Sequence, residues 1–330
     1  MFKKSLVLLF VLLTLVSMAY AQDGTELPPP PGKMVDVGGY QMHIYCTGEG
    51  SPTVIMDAGH GDFSLNFRSL QDTVSDFTQV CTFDRAGYGW SEAGPQPRTS
   101  QQNVDELKIL LENAEIEGPY VLVGHSLGGI NMIMFANENP DLVAGVLLLD
   151  SSHPEQMEIL KAEIPEMVEV ENQLSQVYSV LAEQAAQAPI TADMIAGLEP
   201  AGLPEDLMDT WTALFTQQKN LQAAADEYAA LEESLVEAAD HSDLGDIPLI
   251  VIAHGMPLSE AMPPEALEQL GLTVETLDKY EEIWRGLQED HLTRSTNSKL
   301  VIAENSTHYV YVTEPELAVD AIKELAGIEE

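Results

Sequence analysis

Two hydrophobic periodicities alternate along the chain: short, dense apolar runs, and longer stretches with apolar residues three and four apart. Residues 33–39 and 40–46 are short alternating runs around Gly38-Gly39, which predicts a hairpin. Compact apolar runs at 53–57, 79–84, 120–123, 143–149, 247–253 and 299–303 predict further strands. The run at 143–149 is apolar throughout, as expected of a strand covered on both sheet faces. Helices are predicted over 65–74, over 99–112, where Val104, Leu107, Leu110 and Leu111 share a face, and over 130–138, which stops at Asn139-Pro140. A helical region at 264–295 and a closing helix at 315–325 complete the pattern. Strands alternating with helices indicate an α/β class, with a mostly parallel central sheet and helices on both faces.

One stretch breaks the alternation. From 154 to about 243 the chain is rich in Ala, Glu, Gln and Leu and has almost no strand signal. It carries two Lys and no Arg against about twenty acidic residues, as exposed helices do. It reads as a helical cap, 154–245, inserted after the sixth strand into a core made of 33–153 and 246–330. There is no internal repeat.

Composition changes what the chain can bind. Of the 330 residues, 14 are Lys or Arg and 54 are Asp or Glu, for a formal net charge of −40. That balance excludes nucleic acid, whose phosphates need cations, and electrostatic docking on anionic lipid. The acidity reads as a solvated, self-repelling surface. At the N-terminus, Lys3 and Lys4 precede an apolar run over 6–16, and Ala19-Tyr20-Ala21 has the small-x-small form of a processing site. This predicts a signal peptide, 1–21, removed to leave a secreted or periplasmic protein with no stable membrane insertion. Residues 22–32, with Pro28-Pro29-Pro30-Pro31, read as an extended tether. The two cysteines, Cys46 and Cys81, lack metal-ligand spacing, and export permits a disulfide.

The chemistry concentrates in Gly124-His125-Ser126-Leu127-Gly128-Gly129, which follows an apolar strand and precedes an apolar helix. A G-x-S-x-G sequence in that context is a nucleophile elbow. Glycines are needed because a Cβ at those places would collide with neighbouring backbone. Ser126 then stands on a strained turn, and the N–H of Leu127 opens a helix, where an oxyanion is stabilised.

This segment resembles the elbow of the α/β-hydrolase superfamily, in its single-cap, serine-nucleophile esterase and lipase-like branch. Three other segments agree: Asp57-Ala58-Gly59-His60-Gly61, Asp84-Arg85-Ala86-Gly87-Tyr88-Gly89-Trp90-Ser91, and His308 with Glu314-Pro315-Glu316 after it. The match runs over most of 34–327 and leaves only the cap unmatched. The resemblance implies the α/β-hydrolase fold, with His308 as general base. It implies an oxyanion hole of the backbone N–H groups of Leu127 and His60, or Gly61 if the register slips by one. The His60 imidazole itself is expected to face solvent or line the substrate site. The family's strand order sets the Cys46 strand beside the Cys81 strand, so the two thiols can bond.

The chain departs from the family at the triad acid. After the strand at 247–253 it reads Ala253-His254-Gly255-Met256-Pro257-Leu258-Ser259-Glu260, without Asp. Some relatives carry the acid after the preceding strand, where Asp150 stands here. Asp150 is the favoured acid, and Glu260 the alternative. His125 is expected to pack, Asp84 and Arg85 to form a turn with internal hydrogen bonds, and His153 and His254 receive no role.

The resulting expectation is a serine hydrolase acting on a small-molecule ester or related acyl compound, without cofactor or metal. Serine at the elbow disfavours the epoxide hydrolases and dehalogenases of this fold, which place Asp there. Thioester, lactone and carbon–carbon hydrolysis, cleavage of peptides from an N-terminus, and a catalytically inactive receptor on the same scaffold are the alternatives. The oligomeric state is left open.

Overall fold

Each apolar run forms a strand whose successive side chains feed two different cores. The computed structural model describes residues 27–200 and 202–328; the segment expected to be a signal peptide, 1–21, lies outside the described residues. The strands are β1 (Lys33–Asp36), β2 (Gln41–Thr47), β3 (Thr53–Asp57), β4 (Val80–Phe83), β5 (Tyr120–His125), β6 (Val143–Leu149), β7 (Leu249–His254) and β8 (Ser298–Ala303). They join in one eight-stranded sheet of order β1-β2-β4-β3-β5-β6-β7-β8. The β1–β2 and β2–β4 pairs are antiparallel, and every pair from β4 to β8 is parallel.

Ile55, Leu122, Val146, Leu148 and Val251 point into one buried cluster. Their neighbours Val54, Met56, Val121, Val123, Leu147, Leu149 and Ile252 point into the other. This two-sided burial is why the strands are apolar throughout instead of alternating with polar residues. The first face is covered by α2 (Ser100–Asn113) and α3 (Leu127–Glu138), and the second by α1 (Arg68–Val74) and the last helix. Helix α3 begins at Leu127, three residues earlier than its apolar pattern indicates, because the glycines after Ser126 are already helical.

The inserted stretch is helical, as read: α4 (Gln156–Glu163), α5 (Pro165–Ala185), α6 (Met208–Phe215), α7 (Gln218–Ala229) and α8 (Leu231–Asp240). Its ends and its middle pack differently. Met157, Leu160, Leu235 and Ala238 of α4 and α8 join the core beneath α2 and α3. Tyr178, Leu181, Trp211, Phe215 and Leu221 instead form a third cluster, closed from below by Phe63, Leu65 and Tyr88 of the core loops. Trp211 stacks on Phe215 with centroids 4.4 Å apart. The remaining helices are α9 (Leu258–Ala261), α10 (Pro264–Leu270), α11 (Val274–Asp290), α12 (Val310–Thr313) and α13 (Pro315–Ala326). The helical region expected at 264–295 is interrupted at Gly271, which ends α10 in a left-handed conformation.

Cys46 and Cys81 face each other across the β2–β4 pair and form a disulfide. Within the stretch read as a tether, the Pro28 carbonyl accepts a 2.7 Å hydrogen bond from Trp90 Nε1, so the chain is pinned to the core before β1 begins.

Candidate active site

The chemistry-bearing residues lie just past the carboxyl ends of the parallel strands, where sites in open α/β sheets gather. Ser126 joins β5 to α3 with φ 51° and ψ −121°, a conformation that costs a non-glycine residue about 1–3 kcal/mol. Three backbone hydrogen bonds hold it there. Ser126 N–H donates to the Leu149 carbonyl (3.2 Å), and the Ser126 carbonyl accepts from Gly129 (2.9 Å) and Ser152 (3.0 Å). The glycines are sterically required: a Cβ on Gly124 would lie 2.4 Å from the Gly128 carbonyl oxygen, and one on Gly128 would lie 2.3 Å from that of Asp57. The Leu127 N–H opens α3, where backbone donors have no partner within the helix.

The loop after β3 runs alongside the elbow, and a Cβ on Gly59 would sit 3.3 Å from Ser126 Cβ. His60 follows. Its imidazole is half-buried. It turns up into the cap, with Nε2 2.6 Å from the Ala224 carbonyl and the ring against Tyr178 and Tyr228. Arg85 fixes this loop. Its Nη1 donates to the Ala58 carbonyl (2.7 Å) and its Nη2 to the Gly59 carbonyl (2.9 Å). The expected turn with internal hydrogen bonds forms, with Trp90 N–H donating to Asp84 Oδ2 (2.9 Å) and Tyr88 N–H to the Arg85 carbonyl (2.9 Å), and Arg85 in addition spans core and cap, paired with Asp57 at 2.6 Å and with cap residue Glu227 at 2.6 Å. A buried guanidinium needs anions on more than one side, and a short turn cannot supply them. Asp84 likewise reaches beyond its turn, to the backbone N–H of Ser64 and the ring of His43.

His308 follows β8, and its Nδ1 lies 2.7 Å from Asp150 Oδ2. His125, the residue before Ser126, donates its Nε2–H to the His308 carbonyl (3.0 Å), which ties the His308 loop to the elbow. Burial, with the neighbouring His308, pushes the His125 pKa down to about 3, so this packing imidazole stays neutral. Asp150 caps β6 with φ 46° and is fully buried. Besides His308, it accepts from the His254 backbone N–H (3.1 Å), from His254 Nδ1 (2.8 Å) and from Trp284 Nε1 (3.0 Å). Burial alone would raise its pKa, but the hydrogen bonds and charges of His254 and His308 outweigh burial and hold the carboxyl well below the usual range. Glu260 is exposed on α9, and no contact joins it to His308.

The structure thus brings Ser126, Leu127, Asp150, His308 and the His60 backbone to one edge of the sheet. Sequence reasoning missed three neighbours. His254 and Trp284 both bond Asp150, and Asp62, two residues beyond His60, has its Oδ2 buried without a partner. Burial pushes the Asp62 carboxyl up to about 6, against the opposing influence of His308 and Arg85. His254 stood in the stretch searched for the acid, which was the one available signal. Cys46 and Cys81 lie on β2 and β4, with β3 between them and the Ser126 strand β5.

A sequence model described as "Alpha/beta hydrolase family" matches residues 54–321. The uncharacterized protein YqjL of Bacillus subtilis is 24% identical over 291 residues, covering 88% of this chain and 90% of its own. Among solved structures, a thermophilic esterase from Thermogutta terrifontis superposes with TM-score 0.56 at 18% identity, covering 88% of this chain and 95% of that one. The enol-lactonase from Burkholderia xenovorans LB400 superposes with TM-score 0.58 at 17% identity, covering 89% and 99%. At those identities the two structures speak to the fold.

Proposed function

The chain belongs to the alpha/beta hydrolase family, and on that premise we propose that it is a secreted serine hydrolase that cleaves a carboxylic ester or related acyl bond. The observation that carries the reading is the strained Ser126 elbow tied, through His125, to a histidine whose Nδ1 rests on a buried carboxylate. Asp150 fixes the tautomer of His308, leaving Nε2 to accept the Ser126 hydroxyl proton as Oγ attacks the acyl carbon. The oxyanion that forms is received by the backbone N–H groups of Leu127 and His60. Collapse expels the alcohol, which takes the proton from His308 and leaves an acyl-Ser126 ester. Water then repeats the sequence in reverse: His308 takes its proton, the hydroxide attacks, and the acid leaves as Ser126 recovers its proton.

Arg85 keeps the oxyanion loop in place through the carbonyls of Ala58 and Gly59 and ties it to the cap through Glu227. The cap cluster of Tyr178, Trp211 and Phe215 packs over the core loops, with Tyr178 against the His60 ring, and shapes the acyl side of the site. The esterase and the enol-lactonase among the structural neighbours agree with acyl chemistry. Secretion rests on the sequence of residues 1–21. Turnover of p-nitrophenyl esters of increasing chain length, lost in Ser126→Ala, tests the reaction. No turnover of any ester, with the folded protein in hand, contradicts it.

A further inference from the structure

His254 ends β7 and is 5% exposed. Both of its ring nitrogens face carboxylates. Nδ1 lies 2.9 Å from Oδ1 and 2.8 Å from Oδ2 of Asp150, and Nε2 lies 2.7 Å from Oε2 of Glu281 on α11. An ionised carboxylate only accepts, so both nitrogens must donate, and a ring that donates from both is an imidazolium. Four donors surround Asp150: the His254 N–H and Nδ1, Trp284 Nε1 and His308 Nδ1. They fill the roughly four lone-pair directions that a carboxylate offers.

We propose that His254 is a positioning residue for the hydrolytic reaction: a buried, charged clamp that orients Asp150 toward His308 and shapes the pH dependence of turnover. The proposal rests on the reading of Asp150 and His308 as acid and base. It differs from a simple structural contact because the clamp carries charge. With His254⁺ against Asp150, the negative charge that the carboxylate presents to the reacting groups is partly neutralised, and removing the clamp restores it.

The groups around the pair support this balance. The end of β6 supplies Asp150, and α11 supplies Tyr280, Glu281 and Arg285, whose guanidinium binds the His254 carbonyl. The loop after β8 supplies His308, with neutral His125 and Asp62 beyond it. Burial opposes the charge on His254, but hydrogen bonds to Asp150 and Glu281 and their negative charges prevail and bring its pKa up to about 9. Glu281 is itself anchored, since its Oε1 accepts from the Leu258 N–H at 2.9 Å.

Two measurements on the full chain test the clamp. Imidazole nitrogen NMR of the wild-type protein should show His254 protonated on both nitrogens at pH 7, and a neutral His254 there overturns the proposal. This arm needs no turnover, so it stands apart from the failure of the hydrolase reading, which would show as a protein inert to esters and acyl probes. Second, kcat/KM against pH is compared for the wild type and His254→Asn, whose amide keeps a neutral donor near the Nδ1 position. The acidic limb should move up by about one pH unit, with KM unchanged. An unmoved limb overturns the charged clamp, whether activity is unchanged or has fallen equally at every pH.

Discussion

Asp150 Oδ2 and His308 Nδ1 stand 2.7 Å apart although 158 residues separate them in sequence. They meet because β6 lies two strands from β8 in the sheet, and the chain turns sharply at Asp150, whose φ is 46°. If this contact fixes the His308 tautomer, Asp150→Asn lowers kcat by roughly 10³–10⁴-fold, while Glu260→Gln leaves it near the wild-type value. Steady-state kinetics of the two folded variants checks the contrast. Near-normal turnover in Asp150→Asn removes Asp150 from the triad.

Sequence left the choice between these acids open for a geometric reason. β6 and β7 are parallel neighbours, and the Asp150 N–H donates to the Ile252 carbonyl at 2.8 Å. Their ends stand side by side about 5 Å apart, so either end can deliver a carboxylate to one histidine. The strands and the elbow were legible because two-sided burial demands continuous apolar runs and a tight strand-to-helix turn demands glycine. The roles of His254 and Arg85 were not legible. Their partners lie on α11 and α7, brought close only by packing, and no local pattern marks Glu281 or Glu227 as the partner.

Arg85 is 2% exposed, and its side chain neutralises two carboxylates that are as deeply buried. Arg85→Met should cost about 3–5 kcal/mol of stability, because Asp57 and Glu227 are left charged and unpaired. It should also cost roughly tenfold or more in kcat, as the loop carrying the His60 N–H loses its anchors. Urea denaturation and kinetics of the same variant separate the two effects. A variant as stable as the wild type shows that the ion pairs add nothing.

His254 ties stability to pH. Its folded-state pKa is raised to about 9 from an ordinary value of 6.5, so its contribution is complete below about pH 6.5 and is lost as pH climbs through 9. The loss is on the order of 3 kcal/mol. Asp150 moves the other way. Its depressed pKa gives stability that is present above the unfolded value and is lost only as strongly acidic solution is reached, so it leaves this window untouched. Urea midpoints from pH 6 to 9.5 should therefore fall in the wild type and fall less in His254→Asn. Parallel curves would contradict the assignment.

The Cys46–Cys81 disulfide closes a loop with a sequence separation of 35 and joins the antiparallel edge to the parallel body of the sheet. A loop of that length constrains the unfolded chain by about 3–4 kcal/mol. Cys46→Ala with Cys81→Ala should lower stability by an amount of that order and leave kcat/KM unchanged, because the bridge lies away from Ser126. Thermal denaturation with parallel ester assays reads both. A loss of turnover in a folded double variant contradicts the separation of bridge and site.

The proposed hydrolysis stands or falls with Ser126 as the nucleophile. Intact-protein mass spectrometry after treatment with a fluorophosphonate tests it most directly. One adduct is expected on the wild type, mapped to Ser126, and none on Ser126→Ala. A folded wild-type protein that takes no label, or a Ser126→Ala variant that labels as readily, would contradict it.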